Sequence, residues 1–205
     1  SAATSRCVHD LFDFPASKIF TVLPGVERGG LIEFRNHLAL RLPLRLLCVA
    51  SITERKGHDV LLRALAKLRH LNWCLDLVGP THFDAALFNR LKNFVHQNNL
   101  SERVIFHGAV ESAALEAFYC RSDLFVLASH YEGYGMAYAE AIVRGLPVIA
   151  TTAGAIPDTV PAGAGVLVAP NDVEALAQAL AHMIEDPAYR LAQHKGAGAA
   201  APHLP

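Results

Sequence analysis

Four charged residues stand where they could do chemistry together. Glu132 and Glu140 lie eight positions apart in SHYEGYGMAYAEAIVRGLPVIA (129–150), with a Gly-Tyr-Gly turn after the first. Arg55 and Lys56 are adjacent in SITERKG (51–57). Eight residues of helix rise at most about 12 Å, too far for a shared metal or a carboxylate dyad. Neither glutamate has a His or Asp at metal-ligand spacing. The separation suits one extended ligand held at both ends. A carboxylate accepts hydrogen bonds from vicinal hydroxyls, such as those of ribose or a hexose. The cations suit phosphate or diphosphate, Arg as a bidentate fork and Lys as a mobile point charge. The turn at Gly133-Tyr134-Gly135 opens a helix, whose unpaired N–H groups and dipole favour an anion. Blander readings compete at each position: a solvated loop for the cations, an exposed helix face for Glu140. The P-loop pattern GxxxxGK[ST] is absent. The turn has no GxGxxG, so a nicotinamide or flavin cofactor has little support.

The remaining candidates carry less. His107 ends an apolar run and reads first as a core or loop histidine. His130 sits beside Glu132 but has no orienting partner in the sequence, so it makes no catalytic apparatus. Asp123 reads as the start of a strand. In TTAGAIPD (151–158), Gly154 marks either a turn or a close approach to a ligand.

The elements that must position these residues follow from periodicity. Apolar runs at Leu44–Ala50, Cys74–Gly79, Arg103–Gly108, Asp123–Ser129, Pro147–Thr151 and Gly165–Ala169 read as six strands. Helical spacing fills Asp59–His70, Phe83–Asn99, Ser112–Cys120, Gly135–Gly145 and Asp172–Asp186, the last capped by Asn171 or Asp172. Strands that are apolar on both faces, alternating with helices, predict an α/β fold with a doubly wound, parallel, six-stranded Rossmann-like sheet. Ligands of such sheets bind beyond the carboxyl ends of the strands. The loops that matter are then 51–57, 79–82, 107–110, 129–135 and 152–156.

Composition narrows the class. Of 205 residues, 52% are hydrophobic and 18% charged, enough apolar material for a large core. A net charge of −1 gives no case for nucleic acid or for a polybasic membrane contact. Cys7, Cys48, Cys74 and Cys120 show no CxxC or CxxH spacing and read as buried free thiols of a reducing compartment. No apolar run reaches the roughly 18 residues of a membrane span. Residues 1–10 are polar and lack a signal-peptide core. The expectation is a soluble, intracellular chain.

The segments RKGHDVLLRAL, LDLVG, VIFHGAV, DLFVLASHYEGYGMAYAEAIVRGLPVIAT, GAIPD and GAGVLVAPNDVEALAQAL resemble, in order and spacing, the C-terminal nucleotide-sugar-binding domain of family 4 retaining glycosyltransferases (group 1), which have the GT-B fold. The similarity covers about residues 20–190. It implies transfer of a hexose from a nucleotide-diphosphate sugar, such as GDP-mannose or UDP-glucose, with retention of anomeric configuration. By the resemblance, Lys56 and Glu132 are the catalytic pair: Lys56 neutralises the diphosphate and Glu132 contacts donor-sugar hydroxyls. Glu140 would hold the ribose hydroxyls. The amides around Tyr134, Gly135 and Met136 would hold the distal phosphate, and Ala109 and Val110 would lie near the base. No metal or other cofactor is implied. The family often carries arginine five positions before the lysine. This chain has Ser51 there, so either Arg55 takes over or the phosphate is clamped differently.

The resemblance also implies a domain plan. Residues 1–27 would be the remnant of an N-terminal acceptor domain with its linker, including a short strand at Ile19–Leu23. Residues 28–43 would lead into the domain proper at 44–190. The Ala/Gly/Pro-rich stretch 191–205 is expected to be poorly ordered, with the family's returning C-terminal helix missing or altered after Asp186. On this plan the chain is a donor-binding half, inactive alone. The acceptor, a glycan, lipid or small molecule, would belong to the missing domain. The location would be cytoplasmic, including the cytoplasmic face of a membrane. The alternative is a nucleotide-sugar-binding or regulatory module without transfer activity. An epimerase or phosphorylase of the same fold ranks below both, because the one late lysine, Lys195, lacks a fitting context.

Overall fold

The computed structural model describes residues 1–27 and 42–204; most of the expected 28–43 linker lies outside the described residues. Its centre is a sheet of β1 (Leu44–Val49), β2 (Trp73–Val78), β3 (Val104–Gly108), β4 (Leu124–Val126), β5 (Val148–Thr151) and β6 (Gly165–Val168). All pairings are parallel, in the order β3-β2-β1-β4-β5-β6. The nearly continuous apolar runs explain this arrangement. Leu44, Leu46 and Leu47 of β1 and all three residues of β4 are fully buried, which requires cover on both faces of the sheet. The helices α2 (His58–Lys67), α3 (Ala85–Gln97), α4 (Ser112–Arg121), α5 (Met136–Val143) and α7 (Val173–Glu185) supply that cover. Their limits fall within a few residues of those read from periodicity.

The strand order contains the functional message. The chain builds outward from β1 through β2 and β3, then returns to the other side of β1 with β4, β5 and β6. Order reverses between β1 and β4, so the chain leaves these two strands towards opposite faces of the sheet and a crevice forms at their carboxyl ends. The loops after them carry Arg55, Lys56 and Glu132. Asp123 pins this junction: its N–H donates to Arg45 O and its Oδ2 accepts from Arg45 N, both at 2.8 Å.

The structure corrects the expected ends. The expected strand at Ile19–Leu23 does not form: the segment carries no strand and does not join the sheet, and Phe20 and Val22 stand 87% and 85% exposed. Ahead of it, α1 (Ala2–Phe12) is capped by Ser1, whose hydroxyl accepts from Thr4 N at 3.1 Å. A short helix, α6 (Ile156–Thr159), follows β5.

The stretch expected to be poorly ordered from residue 191, and to lack a returning helix, is α8 (Pro187–Ala200) followed by a 3-10 turn at Ala201–His203. Asp186 caps α8 by accepting from Tyr189 N at 2.9 Å, and Pro187 starts it where no amide partner is needed. The small residues are a packing face. A Cβ on Gly196 would come 1.9 Å from Gly163 O, so only glycine allows this helix to lie so close to the loop before β6. Arg190, His194 and Ala197 are buried on the same helix. Of the four cysteines expected to be buried, only Cys48 is; Cys74 is half-buried, and Cys7 and Cys120 are exposed. Among the described residues no helix is long and apolar enough to cross a membrane.

Candidate functional site

Glu132 is the hub of the crevice. The residue is 6% exposed, and three donors converge on its carboxylate. Lys56 Nζ lies 2.6 Å from Oε1, Ser129 Oγ donates to Oε1 at 2.7 Å, and Arg55 Nη1 reaches Oε2 at 3.1 Å. Burial alone would raise the pKa of this carboxyl. The Lys56 and Ser129 hydrogen bonds, the Lys56 charge and the Arg55 bond outweigh it and hold the pKa below the usual carboxylate range. Glu132 is therefore an anion held in place.

Backbone geometry brings these groups together across the switch point. His130 N donates to Arg55 O at 2.8 Å, and Arg55 Nη1 donates to Tyr131 O at 2.7 Å. Gly57 permits the approach: its φ is +62°, and a Cβ there would sit 2.1 Å from Ala128 O. The third loop braces from behind. Ala155 N donates to Glu132 O at 2.9 Å, and Thr151 Oγ1 donates to Ser129 O at 2.6 Å.

The N-terminus of α5 faces the same space. Gly135 caps it in a left-handed conformation, with no side-chain cap on the first amides. Tyr138 fixes the first turn by donating from its buried hydroxyl to Leu127 O at 2.9 Å, and Thr159 Oγ1 donates to Tyr134 O. The resulting cavity is about 480 Å³, lined by Lys56, Glu132, Tyr134, Gly135, Met136 and Glu140 together with apolar neighbours. It thus places two carboxylates, an ammonium and a helix N-terminus around one opening. Such an opening can hold an anionic group flanked by hydroxyl-bearing groups.

Glu140 lies one turn along α5, half-buried. Its Oε2 accepts from Tyr119 Oη at 2.9 Å. Burial, and then the adjacent Glu140 charge, push the Tyr119 phenol far up, so it remains a donor. Glu140 also lines a second cavity of about 460 Å³ between α4 and α5, which shares Leu115 and Glu140 with the first.

The structure therefore gathers Lys56, Glu132, Tyr134, Gly135, Met136 and Glu140. Arg55 reaches Glu132 from the rim, with its side chain half exposed. Ala109 and Val110 follow β3, two strands from the switch point, and line neither cavity. His107 turns away: its Nε2 pairs with Asp76 Oδ1 at 2.6 Å, and Arg121 takes Oδ2 at 2.9 Å. Sequence reasoning missed Ser129, Tyr119 and Arg144, the last at the end of α5, where its Nε donates to Glu116 Oε2 on α4 at 2.8 Å. Ser129 had a local signal, three residues before Glu132 at a strand end. Tyr119 meets Glu140 across 21 residues, and no spacing rule reports that contact. Among the described residues no group of three or more His, Cys, Asp or Glu side chains is arranged to hold a metal ion.

Comparison with known proteins fits this geometry. Residues 33–199 match the family model of glycosyl transferases group 1. The lipopolysaccharide core biosynthesis mannosyltransferase LpcC of Rhizobium leguminosarum bv. viciae is 34% identical over 154 residues, covering 73% of this chain and 43% of that protein. The C-terminal domain of a group 1 glycosyl transferase (LpcC) from Francisella tularensis superposes with a TM-score of 0.72 at 27% identity, covering 78% of this chain and 85% of that one. Anabaena Alr3699/HepE, solved in complex with UDP and glucose, gives a TM-score of 0.72 at 26% identity over 78% of this chain and 44% of that one. The chain spans less than half the length of the curated relatives named here.

Proposed function

This chain belongs to the group 1 glycosyl transferases, with the fold of a GT-B C-terminal domain, and from that premise we propose that its crevice binds a nucleotide-diphosphate sugar. One observation carries the reading: Lys56, the bare N-terminus of α5 and two carboxylates line a single cavity at the switch point. Lys56, with Arg55 beside it, neutralises the diphosphate. The amides of Gly135 and Met136, after Tyr134, take the distal phosphate. Glu132 accepts from the sugar hydroxyls and Glu140 from the ribose. Positive charge for the leaving diphosphate then comes from the protein itself, without a metal. Ala109 and Val110, after β3, remain candidates for contact with the base.

Within a longer protein, this half would serve transfer of a hexose to a glycan, lipid or small-molecule acceptor with retention of configuration. Its share is positioning of the donor and electrostatic stabilisation of the leaving group. The proton of the attacking hydroxyl would pass to the departing phosphate. Alone, the domain would bind donor without transferring it, in the cytoplasm or at the cytoplasmic face of a membrane. Both GDP-mannose-dependent relatives and a UDP-glucose complex are among the similar proteins.

The test is thermal stabilisation by a panel of GDP-, UDP- and ADP-sugars. At least one should raise the melting temperature, and Lys56→Met should abolish the shift. A folded domain that no sugar nucleotide stabilises would overturn the proposal.

A further inference from the structure

Tyr131 stands on the rim of the crevice with no part in holding the donor. It immediately precedes Glu132, but the two side chains part. Glu132 is buried against the donor cavity, while Tyr131 is 46% exposed and lines neither that cavity nor the one between α4 and α5.

The ring is nevertheless held. Gly154, in the loop after β5, has a φ of +59°, and a Cβ there would lie 3.1 Å from both Cδ2 and Cε2 of Tyr131 and 2.4 Å from Glu132 O. One side of the ring therefore rests on bare backbone, which only glycine permits. The close approach at Gly154 is to Tyr131 and to the Glu132 carbonyl, the same carbonyl that accepts from Ala155 N at 2.9 Å. From the β1 side, Arg55 Nη1 donates to Tyr131 O at 2.7 Å and to Glu132 Oε2 at 3.1 Å. The Arg55 side chain is half exposed, so a guanidinium borders both the cavity and the turn that bears the ring.

A seated ring beside a cation suits a sugar. A pyranose has one face made largely of C–H bonds, whose weak positive charge matches the negative face of an aromatic ring, and its edge hydroxyls accept from a guanidinium. Because Tyr131 is fixed beforehand, stacking on it costs little side-chain freedom. The donor's own sugar would be held inside the cavity by Glu132, so a sugar on Tyr131 is a second one, a single residue away from the first. Resting on the donor reading above, we infer that Tyr131 is a stacking platform for a pyranose of the acceptor at the mouth of the donor cavity. The attacked acceptor is then a sugar rather than a bare lipid or a small alcohol, and this half of the protein takes part in choosing it.

Saturation-transfer NMR on the whole chain tests this, with methyl α-mannoside, methyl α-glucoside and methyl α-galactoside as probes, each with and without saturating GDP-mannose or UDP-glucose. At least one methyl pyranoside should take up saturation and keep it when the sugar nucleotide is bound. Tyr131→Ala should weaken that pyranoside about five-fold, the scale of one lost aromatic contact, and Tyr131→Phe, which keeps the ring, should stay within about two-fold. Sugar-nucleotide binding by Tyr131→Ala shows that the variant is folded, and the wild-type competition is read without any variant. No pyranoside signal on a protein that binds sugar nucleotide, or a signal unchanged in Tyr131→Ala, overturns this inference and leaves the donor reading standing. A pyranoside displaced by the sugar nucleotide lies in the donor cavity and overturns it as well. A protein that binds no nucleotide overturns the donor reading and the acceptor assignment with it.

Discussion

Glu132→Gln should make the domain less stable and a better binder of bare nucleoside diphosphate. The substitution keeps the shape of the side chain and removes its charge. In the unliganded site that charge is the anion on Lys56, whose side chain is only 15% exposed. Losing one partner of a mostly buried pair costs several kcal/mol when the other charge is stranded. Here the glutamine oxygen still accepts and Arg55 is half exposed, so roughly 2 kcal/mol is a fair figure, a fall of roughly 4–8 °C in melting temperature for a domain of this size. Binding moves the other way. Lys56 Nζ sits 2.6 Å from Glu132 Oε1, so a phosphate oxygen taking another of its protons would lie about 5 Å from the carboxylate. Two unit charges at that distance repel by about 3 kcal/mol at an effective dielectric of 20. Salt and side-chain movement reduce this at an open site, leaving on the order of a ten-fold gain in GDP affinity at 0.15 M salt. The assay is calorimetry with GDP on both proteins, paired with thermal melts in the absence of ligand. A cooperatively folded Glu132→Gln that binds GDP more weakly than wild type would refute the reasoning. It would mean that the carboxylate holds Lys56 in its phosphate-binding position rather than competing for it.

Gly57→Ala should cost more than 3 kcal/mol in a urea unfolding series or abolish soluble expression, since a Cβ 2.1 Å from Ala128 O forces the β1 and β4 loops apart. Unchanged stability would show that the two loops do not need this contact. Tyr119→Phe removes the donor to Glu140 and should cost about 1 kcal/mol of stability and a few-fold in GDP affinity, both measurable in the same experiments. Stability should also fall in mild acid. Burial, followed by the Lys56 charge, lowers the His58 pKa from 6.5 to about 4, so the folded protein prefers the neutral ring. Between those values the unfolded chain holds more protons; stability is full above about pH 6.5 and declines as pH falls towards 4, by at most roughly 3 kcal/mol from this group. His194, also lowered by burial first, adds in the same sense. The Glu132 carboxyl, whose pKa is depressed, contributes stability that is lost at still lower pH. A urea midpoint that stays flat from pH 7 to pH 5 would contradict this.

The fold was legible because its signals are local and redundant. Each strand is a nearly continuous apolar run, each helix has a periodic face, and Asp84 and Asp172 cap α3 and α7 by accepting from Leu87 N and Ala175 N. The site was legible where type and spacing coincide within one loop, as for Lys56 and for Glu132 with its glycine turn. It was not legible where the contact joins distant segments. That Arg55 and Lys56 converge on Glu132 depends on β1 and β4 being neighbours, a property of strand order rather than of either loop. Tyr119 with Glu140, and Glu116 with Arg144, depend on α4 and α5 lying side by side. The C-terminal helix was misread for another reason. GAGAAAP has the composition of a flexible tail, but in a close-packed helix the same small residues are what lets two backbones touch, and composition does not distinguish the two uses.

On the proposed donor reading, the Lys56–Glu132 pair also constrains how the site discriminates between substrate and product. A bare diphosphate must share Lys56 with a carboxylate that loses hydrogen bonds in the exchange and gains none. A donor that still carries its sugar brings hydroxyl donors to that carboxylate and replaces what it gave up. The intact sugar nucleotide should therefore bind more tightly than the corresponding nucleoside diphosphate, by several-fold if two hydroxyls reach Glu132 at about 1 kcal/mol each and part of that is spent on ordering the sugar. The advantage should shrink in Glu132→Gln, where the bare diphosphate gains and the hydroxyl contacts weaken. Parallel titrations of GDP and GDP-mannose, or of UDP and UDP-glucose, on both proteins measure that double difference. A preference for the sugar nucleotide that survives the substitution unchanged would move sugar recognition away from Glu132 while leaving Lys56 and the α5 N-terminus as the phosphate site.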